Sequence, residues 1–285
     1  GVGEQGGVEL GAVHAVGLSG ARRARGTGVG VLDVVDGVVV GLLLPQVEVD
    51  VQGRVHGRTH QRVARAVDTD GLDIWPTDLD VTFTDCDVAV ARTIPQYDDR
   101  PQVEEIRRLY RAAFAAARRT IYIESQYLAA REVADALAER LAEPDGPEIV
   151  LVLPRHADSP VERLAMDGAR HKLLQLLWRA DKYDRFRAFY PVTAEGDPIY
   201  VHAKVLIVDD VLLRIGSSNL NNRSLGFDSE CDVAIEADPN DPADGDLSET
   251  ILSMRTRLLS EHLGVDHEVF DDALAQENSL VGAVD

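Results

Sequence analysis

The chain has 285 residues, 45% of them hydrophobic and 27% charged, with 29 Lys and Arg against 49 Asp and Glu for a net charge of −20. Such a chain holds one large domain or two of ordinary size, with the composition of a soluble globular protein, and no apolar run approaches the roughly 20 residues of a membrane-spanning helix. The acidic balance argues against broad electrostatic binding to nucleic acid or anionic lipid, while leaving room for a local basic pocket.

Residues 1–74 form an atypical N-terminal region. No aromatic residue precedes Trp75, the first isoleucine is Ile74, and Val, Gly, Arg and Asp dominate. Val31–Val35, Val38–Leu44 and Val47–Val51 are candidate short strands, with Asp36-Gly37 as a hairpin turn. Lacking aromatic bulk they build only a thin core, so a remnant, a poorly ordered extension and a small β-appendage all stay open. Gly1 in place of an initiator methionine points to a missing upstream portion. The N-terminus lacks the basic start and apolar core of a signal peptide.

From Trp75 the pattern becomes regular. Pro101 opens a helix that places Val103, Ile106, Tyr110, Ala113 and Ala117 on one face. Ile121–Glu124 is a strand, and Val133, Leu137 and Leu141 mark a second helix that ends at Pro144–Pro147. Ile149–Leu153 has the continuous apolar character of a strand buried on both faces. A helix over Pro160–Lys182 is followed by strands at Arg187–Tyr190, Lys204–Val208, Leu212–Ile215 and Asp232–Glu236. A last helix runs over Leu247–Leu263, and the acidic, small-residue-rich tail, residues 271–285, is expected to fray. Alternating strands and helices followed by a strand-rich stretch indicate a three-layer α/β domain. Cys86 and Cys231 lack metal-ligand spacing and read as reduced, buried and structural. The basic segment Arg163–Arg187 reads as a solvated helix face, with Trp178 and Tyr183 as core or rim contacts. The acidic cluster Asp238–Asp246 has no calcium-loop spacing.

The chemistry concentrates between Ile199 and Asp232. His202 and Lys204 are two apart, so on a strand both point to one face while Ala203 turns into the packed layer. An ammonium and an imidazole side by side seat a phosphate: one supplies fixed charge, and the other attacks phosphorus or passes a proton. Lys172, Lys182 and Lys204 are the only lysines, so Lys204 stands out in a chain that otherwise uses arginine. Asp209-Asp210 turns the strand, and the return strand brings Gly216-Ser217-Ser218-Asn219 beside the His/Lys face. That turn offers backbone N–H groups, a hydroxyl and an amide to phosphate oxygens.

The arrangement His202-x-Lys204-x4-Asp209-x6-Gly216-Ser217-x-Asn219 resembles the motif of the phospholipase D superfamily at all six fixed positions. The flanks Ile199-Tyr200-Val201, Leu220–Ser224 and Ser229–Asp232 are similar to the C-terminal half of phospholipases D, as is Tyr122–Tyr127, over roughly residues 75–265. The resemblance implies a three-layer α/β/α domain with a mixed sheet, the catalytic half-domain spanning 75–270. It implies hydrolysis or phosphatidyl transfer on phospholipid headgroups through a phosphohistidine, without metal or cofactor. Of the carried-over residues, His202 maps to the general acid of the first step, Lys204, Ser217 and Asn219 to the phosphate seat, Gly216 and Glu230 to supporting positions. Asp209 belongs to the catalytic motif while supporting it from outside the phosphate shell, and Glu230 either orients a histidine or ties down the turn.

Members of the family build one site from two motif copies, and this chain carries one. His60-Gln61-Arg62 followed by Asp68 has the wrong cation, the wrong spacing and no Gly-Ser-x-Asn after it. Three readings follow: a homodimer sharing one site, the C-terminal part of a longer enzyme whose missing N-terminal half supplies the second motif, or an inactive half-enzyme or scaffold. A cardiolipin-synthase-type phosphatidyltransferase and a nuclease are the alternative activities, strong nucleic-acid binding being disfavoured by the charge. A cytoplasmic or membrane-peripheral location is favoured.

Overall fold

The computed structural model describes residues 33–35, 38–40, 47–49, 55–57, 81–84, 86–157, 163–238, 240–241 and 244–285. The Asp36-Gly37 turn, His60, Arg62, Asp68, Trp75 and the helix start at Pro160 lie outside them. In the N-terminal region, β1 (Asp33–Val35) pairs antiparallel with β2 (Val38–Val40), and β3 (Val47–Val49) pairs antiparallel with β4 (Val55–Gly57).

The remaining elements follow in chain order. They are β5 (Ala89–Ile94), β6 (Val103–Glu104), α1 (Glu105–Ala116), β7 (Thr120–Ser125), α2 (Arg131–Ala142) and β8 (Glu148–Val152). A π-helical turn at Arg163–Asp167 then leads into α3 (Gly168–Ala180), β9 (Phe186–Phe189), β10 (Lys204–Val208) and β11 (Leu212–Gly216). The chain ends with α4 (Asn222–Gly226), β12 (Glu230–Glu236), α5 (Gly245–Leu263), α6 (His267–Glu277) and α7 (Leu280–Val284).

Eight strands form one sheet in the order β6-β5-β12-β11-β10-β7-β8-β9. The β7–β8 and β8–β9 pairs are parallel and the others antiparallel, so the sheet is mixed. Parallel neighbours require crossovers, and the helices α2 and α3 supply them. One face packs Leu206, Ile123, Leu151 and Val208 against Ile106, Leu109 and Phe114 of α1, Leu137 and Leu141 of α2, and Leu173 and Leu177 of α3. The other face packs Tyr122, Val150, Val205, Ile207 and Leu213 against Ile251 and Leu259 of α5, Phe270 of α6, and Leu280, Val281 and Val284 of α7. This is a three-layer α/β/α domain. Ile149–Val152 is fully buried, as a central strand covered on both faces must be.

The tail corrects the fraying expectation. Residues 271–285 complete α6 and form α7, and Leu280, Val281 and Val284 are buried. Glu148 on β8 accepts the Ser279 hydroxyl at 2.6 Å and the backbone N–H groups of Leu280 and Val281 at 2.5 and 3.2 Å. Ser279 in turn accepts from Gly282 N–H, 2.9 Å, so the short helix is capped twice. The apolar residues lie on one face, and acidic composition concealed them. Cys86 and Cys231 are half-buried rather than buried. Trp178 and Tyr183 are exposed rim residues, Trp178 meeting Phe186 at 6.1 Å between centroids.

Candidate active site

The motif residues divide between the two ends of β10. Its N-terminal end carries Lys204, paired in register with Ser125 at the C-terminal end of β7. The C-terminal end of β11 and the N-terminal end of β12 meet at Gly216 and Asp232 on the same edge of the sheet. The connections after β7, before β10 and between β11 and β12 therefore converge there.

Lys204 is 9% exposed. Its ammonium donates to the His202 carbonyl at 2.8 Å and to Gln126 Oε1 at 3.2 Å. Burial and the Arg214 guanidinium pull it down from 10.5 to about 8, with Glu230 pulling the other way. His202 lies two residues before the strand and is exposed, its ring stacked on Tyr200 at 6.5 Å and 19°. Burial and then the Lys204 charge push its imidazole below the ordinary 6.5. The site thus holds a neutral imidazole next to a cation at neutral pH. Ala203 packs against the opposite layer, as strand alternation requires.

The turn after β11 is built from below. Asp232 is fully buried and receives Arg214 Nε at 2.8 Å, Ser218 N–H at 3.1 Å and Ser218 Oγ at 2.5 Å. Arg214, 1% exposed, also donates to the carbonyls of Lys204 and Ser218, each at 3.0 Å, and stacks over the Tyr110 ring at 4.8 Å. One guanidinium thereby fixes the backbone of the lysine and of the Ser-Ser-Asn turn together. Gly216 is forced by the same aspartate: a Cβ there would sit 2.1 Å from Asp232 Oδ1 and 2.6 Å from its Cα. Burial pushes the Tyr110 hydroxyl up to about 12, so it stays neutral beside the pair.

Ser217 is exposed and donates to Glu230 Oε2 at 2.5 Å while accepting from Cys231 N–H at 3.0 Å. Glu230 thus ties down the turn. Asn219 is 9% exposed, and its Oδ1 is buried without a partner. The next turn is pinned by Asn221, which caps α4 by accepting from Ser224 N–H at 2.8 Å.

Asp209 is placed elsewhere. It follows the C-terminal end of β10, about 16 Å from Lys204 at about 3.3 Å per strand residue. Its carboxylate accepts the backbone N–H groups of Arg118, Arg119 and Thr120 at 2.7, 2.7 and 2.8 Å. Asp209 and Asp210 both have positive φ, 54° and 59°, and Asp210 is paired with Arg255 at 2.6 and 2.8 Å. Its three acceptor contacts hold the entry to β7, at the pole opposite His202 and outside the phosphate shell, where the family motif also puts it.

Three residues around the site received no role from sequence reasoning. Gln126 and Tyr200 lie in segments whose family resemblance was visible, but only the fold brings them onto Lys204 and His202. Arg214 gave no signal at all, being one arginine among many in an apolar strand.

The family described as "Cardiolipin synthase, PLD-like domain" matches residues 110–247, a span that contains every site residue named above. Phospholipase D A of Dictyostelium discoideum is 26% identical over 216 residues, covering 61% of this chain and 17% of that protein. These matches support a phospholipase D-like domain in this chain. Phospholipase D alpha 1 of Spuriopimpinella brachycarpa is 39% identical over 88 residues, 29% of this chain and 10% of the relative. The chain therefore spans only a small part of the length of these phospholipases. Among solved structures, Nuc of Salmonella typhimurium, a phospholipase D family member, aligns with a TM-score of 0.42 at 19% identity, covering 59% of this chain and 90% of that one. No helix among the described residues is long and apolar enough to cross a membrane.

Proposed function

We propose that residues 75–270 are the catalytic half-domain of a phospholipase D-type phosphodiesterase acting on phospholipid headgroups, with a second motif copy completing the site. The observation that carries this reading is the constrained Lys204 ammonium beside a neutral His202, next to a turn whose buried Asn219 presents an unpartnered oxygen. Lys204, Ser217 and Asn219 hold the non-bridging phosphate oxygens. A histidine from the second copy attacks phosphorus, forming an N–P bond as the P–O bond to the headgroup breaks, and His202 gives its proton to the departing alkoxide. The diester's negative charge offsets Lys204 and raises the proton affinity of His202, which takes that proton from solvent as the substrate binds, before the transfer. Water or an alcohol then attacks phosphorus, the N–P bond breaks, and the proton returns to His202. The protein chemistry alone accounts for each transfer.

The second copy comes from another chain in a homodimer or from an N-terminal half. The decisive experiment pairs light scattering with choline release from phosphatidylcholine vesicles, using His202→Ala as control, and with tungstate binding as a phosphate probe. Turnover that follows the dimer fraction and vanishes in the variant supports the reading through the homodimer. Tungstate binding that needs Lys204, with turnover only after a second motif is supplied, supports it through the missing half. Turnover persisting in His202→Ala, or absence of both turnover and tungstate binding, overturns it.

A further inference from the structure

Gln126 sits immediately after β7, at the point where the lysine, the histidine and the aromatic flank of the site approach one another. Its Oε1 accepts from the Lys204 ammonium at 3.2 Å. Its Nε2 donates to the Tyr200 hydroxyl at 2.7 Å and to the Tyr127 hydroxyl at 3.0 Å. The amide orientation is fixed by its partners: an ammonium only donates, so the carbonyl must face it and the NH2 must face the phenols. Both N–H donors are then used. Tyr200, held by this bond, lies parallel to the His202 ring.

We propose that Gln126 is a positioning residue that couples the two halves of the His-x-Lys pair: its carbonyl fixes the Lys204 ammonium, and its NH2 fixes the Tyr200 ring against which His202 stacks. The inference rests on the site reading above for its catalytic meaning, but the coupling itself is a property of these side chains and their contacts. A neutral amide is the chemistry the position demands. A carboxylate here would satisfy Lys204 but cancel the charge that must meet phosphate. An aliphatic side chain would release both the ammonium and the phenol. Each of the two groups also sits on a short lever: Lys204 is pinned at its backbone by Arg214, and His202 lies in the connection between Tyr200 and the strand. The remaining freedom is in the side-chain ends: Gln126 holds the Lys204 ammonium directly and reaches the His202 ring through Tyr200. A bound phosphodiester would meet an ammonium and an imidazole already registered to each other, which lowers the ordering cost of reaction.

The test needs no turnover. The chain has three lysines, Lys172, Lys182 and Lys204, so Lys 13Cε labelling gives three signals, and Lys204→Arg assigns the one that matters. Histidine ring signals report His202 in the same samples, assigned by His202→Ala. Tyr200→Phe keeps the ring and deletes the hydroxyl. It should shift the His202 signals and leave the Lys204 titration in place. Gln126→Leu should move both groups, and its effect on His202 should not add to that of Tyr200→Phe in the double variant. Gln126→Glu should raise the Lys204 midpoint by at least about one pH unit, because an opposite charge then faces the ammonium. Tungstate affinity should fall about tenfold in Gln126→Leu, the scale of one charge-assisted hydrogen bond. Additive effects on His202, or a Lys204 midpoint indifferent to both Gln126 variants, overturns the coupling. Because none of these readings requires catalysis, an inactive chain would leave the outcome for Gln126 intact.

Discussion

Replacing Asp209 separates support of the fold from action at the phosphate. In Asp209→Ala three backbone N–H groups lose their carboxylate. Those of Arg118 and Arg119 face solvent, so water replaces the acceptor and each costs about 0.5 kcal/mol; the partly buried Thr120 contact costs about 1.5 kcal/mol. An alanine must also hold φ near 54°, which costs about 1 kcal/mol. The total is about 3.5 kcal/mol, and with a urea slope of about 3 kcal/mol per molar the unfolding midpoint falls by about 1.2 M. Asp209→Gly adopts the positive φ freely and should lose only about 2.5 kcal/mol. At low temperature, where both variants remain folded, the Lys204 signal and tungstate binding should match the wild type. An unchanged midpoint together with lost tungstate binding would refute this assignment and return Asp209 to the site.

Lys204→Met should stabilise the fold while abolishing tungstate binding. The native ammonium is depressed to about 8 against 10.5 when unfolded, so between those values the unfolded chain binds more protons and wild-type stability rises with pH. The variant should therefore exceed the wild type in urea midpoint below pH 8, with the difference closing toward pH 10.5; a pH-independent difference would contradict the linkage. Asp232→Ala should destabilise by about 3–5 kcal/mol in urea unfolding, because it strands the buried Arg214 guanidinium. A loss under 1 kcal/mol would mean that Arg214 finds another partner or solvent. Gly216→Ala should unfold at lower urea by about 1–3 kcal/mol through the clash with Asp232, and a neutral effect would show that β12 can move aside.

The His202/Lys204 pair was legible in the sequence because its logic is local. His202, Lys204 and the Gly216–Asn219 turn are set by strand alternation and by a hairpin of fixed length, and spacing records both. The layered α/β class was legible for the same reason, since β8, α1, α2 and α5 announce themselves by periodicity. What the spacing could not record is where a residue's neighbours come from. Asp209 shares the motif but lies one strand length from Lys204, and only the register of β10 against β7 turns it into the cap for residues 118–120. Gln126 and Tyr200 are 74 residues apart and meet only because β7 and β10 are adjacent. Arg214 acquires its importance from Asp232, 18 residues away on the next strand, which removes both charges from water. The acidic tail became two packed helices because Glu148 faces the N-terminus of α7. Sequence determined which chemical groups the strand ends carry, because backbone geometry repeats every two residues. Tertiary structure decided which of those groups are buried, paired and aligned, because burial and pairing depend on strands and helices far apart in the chain.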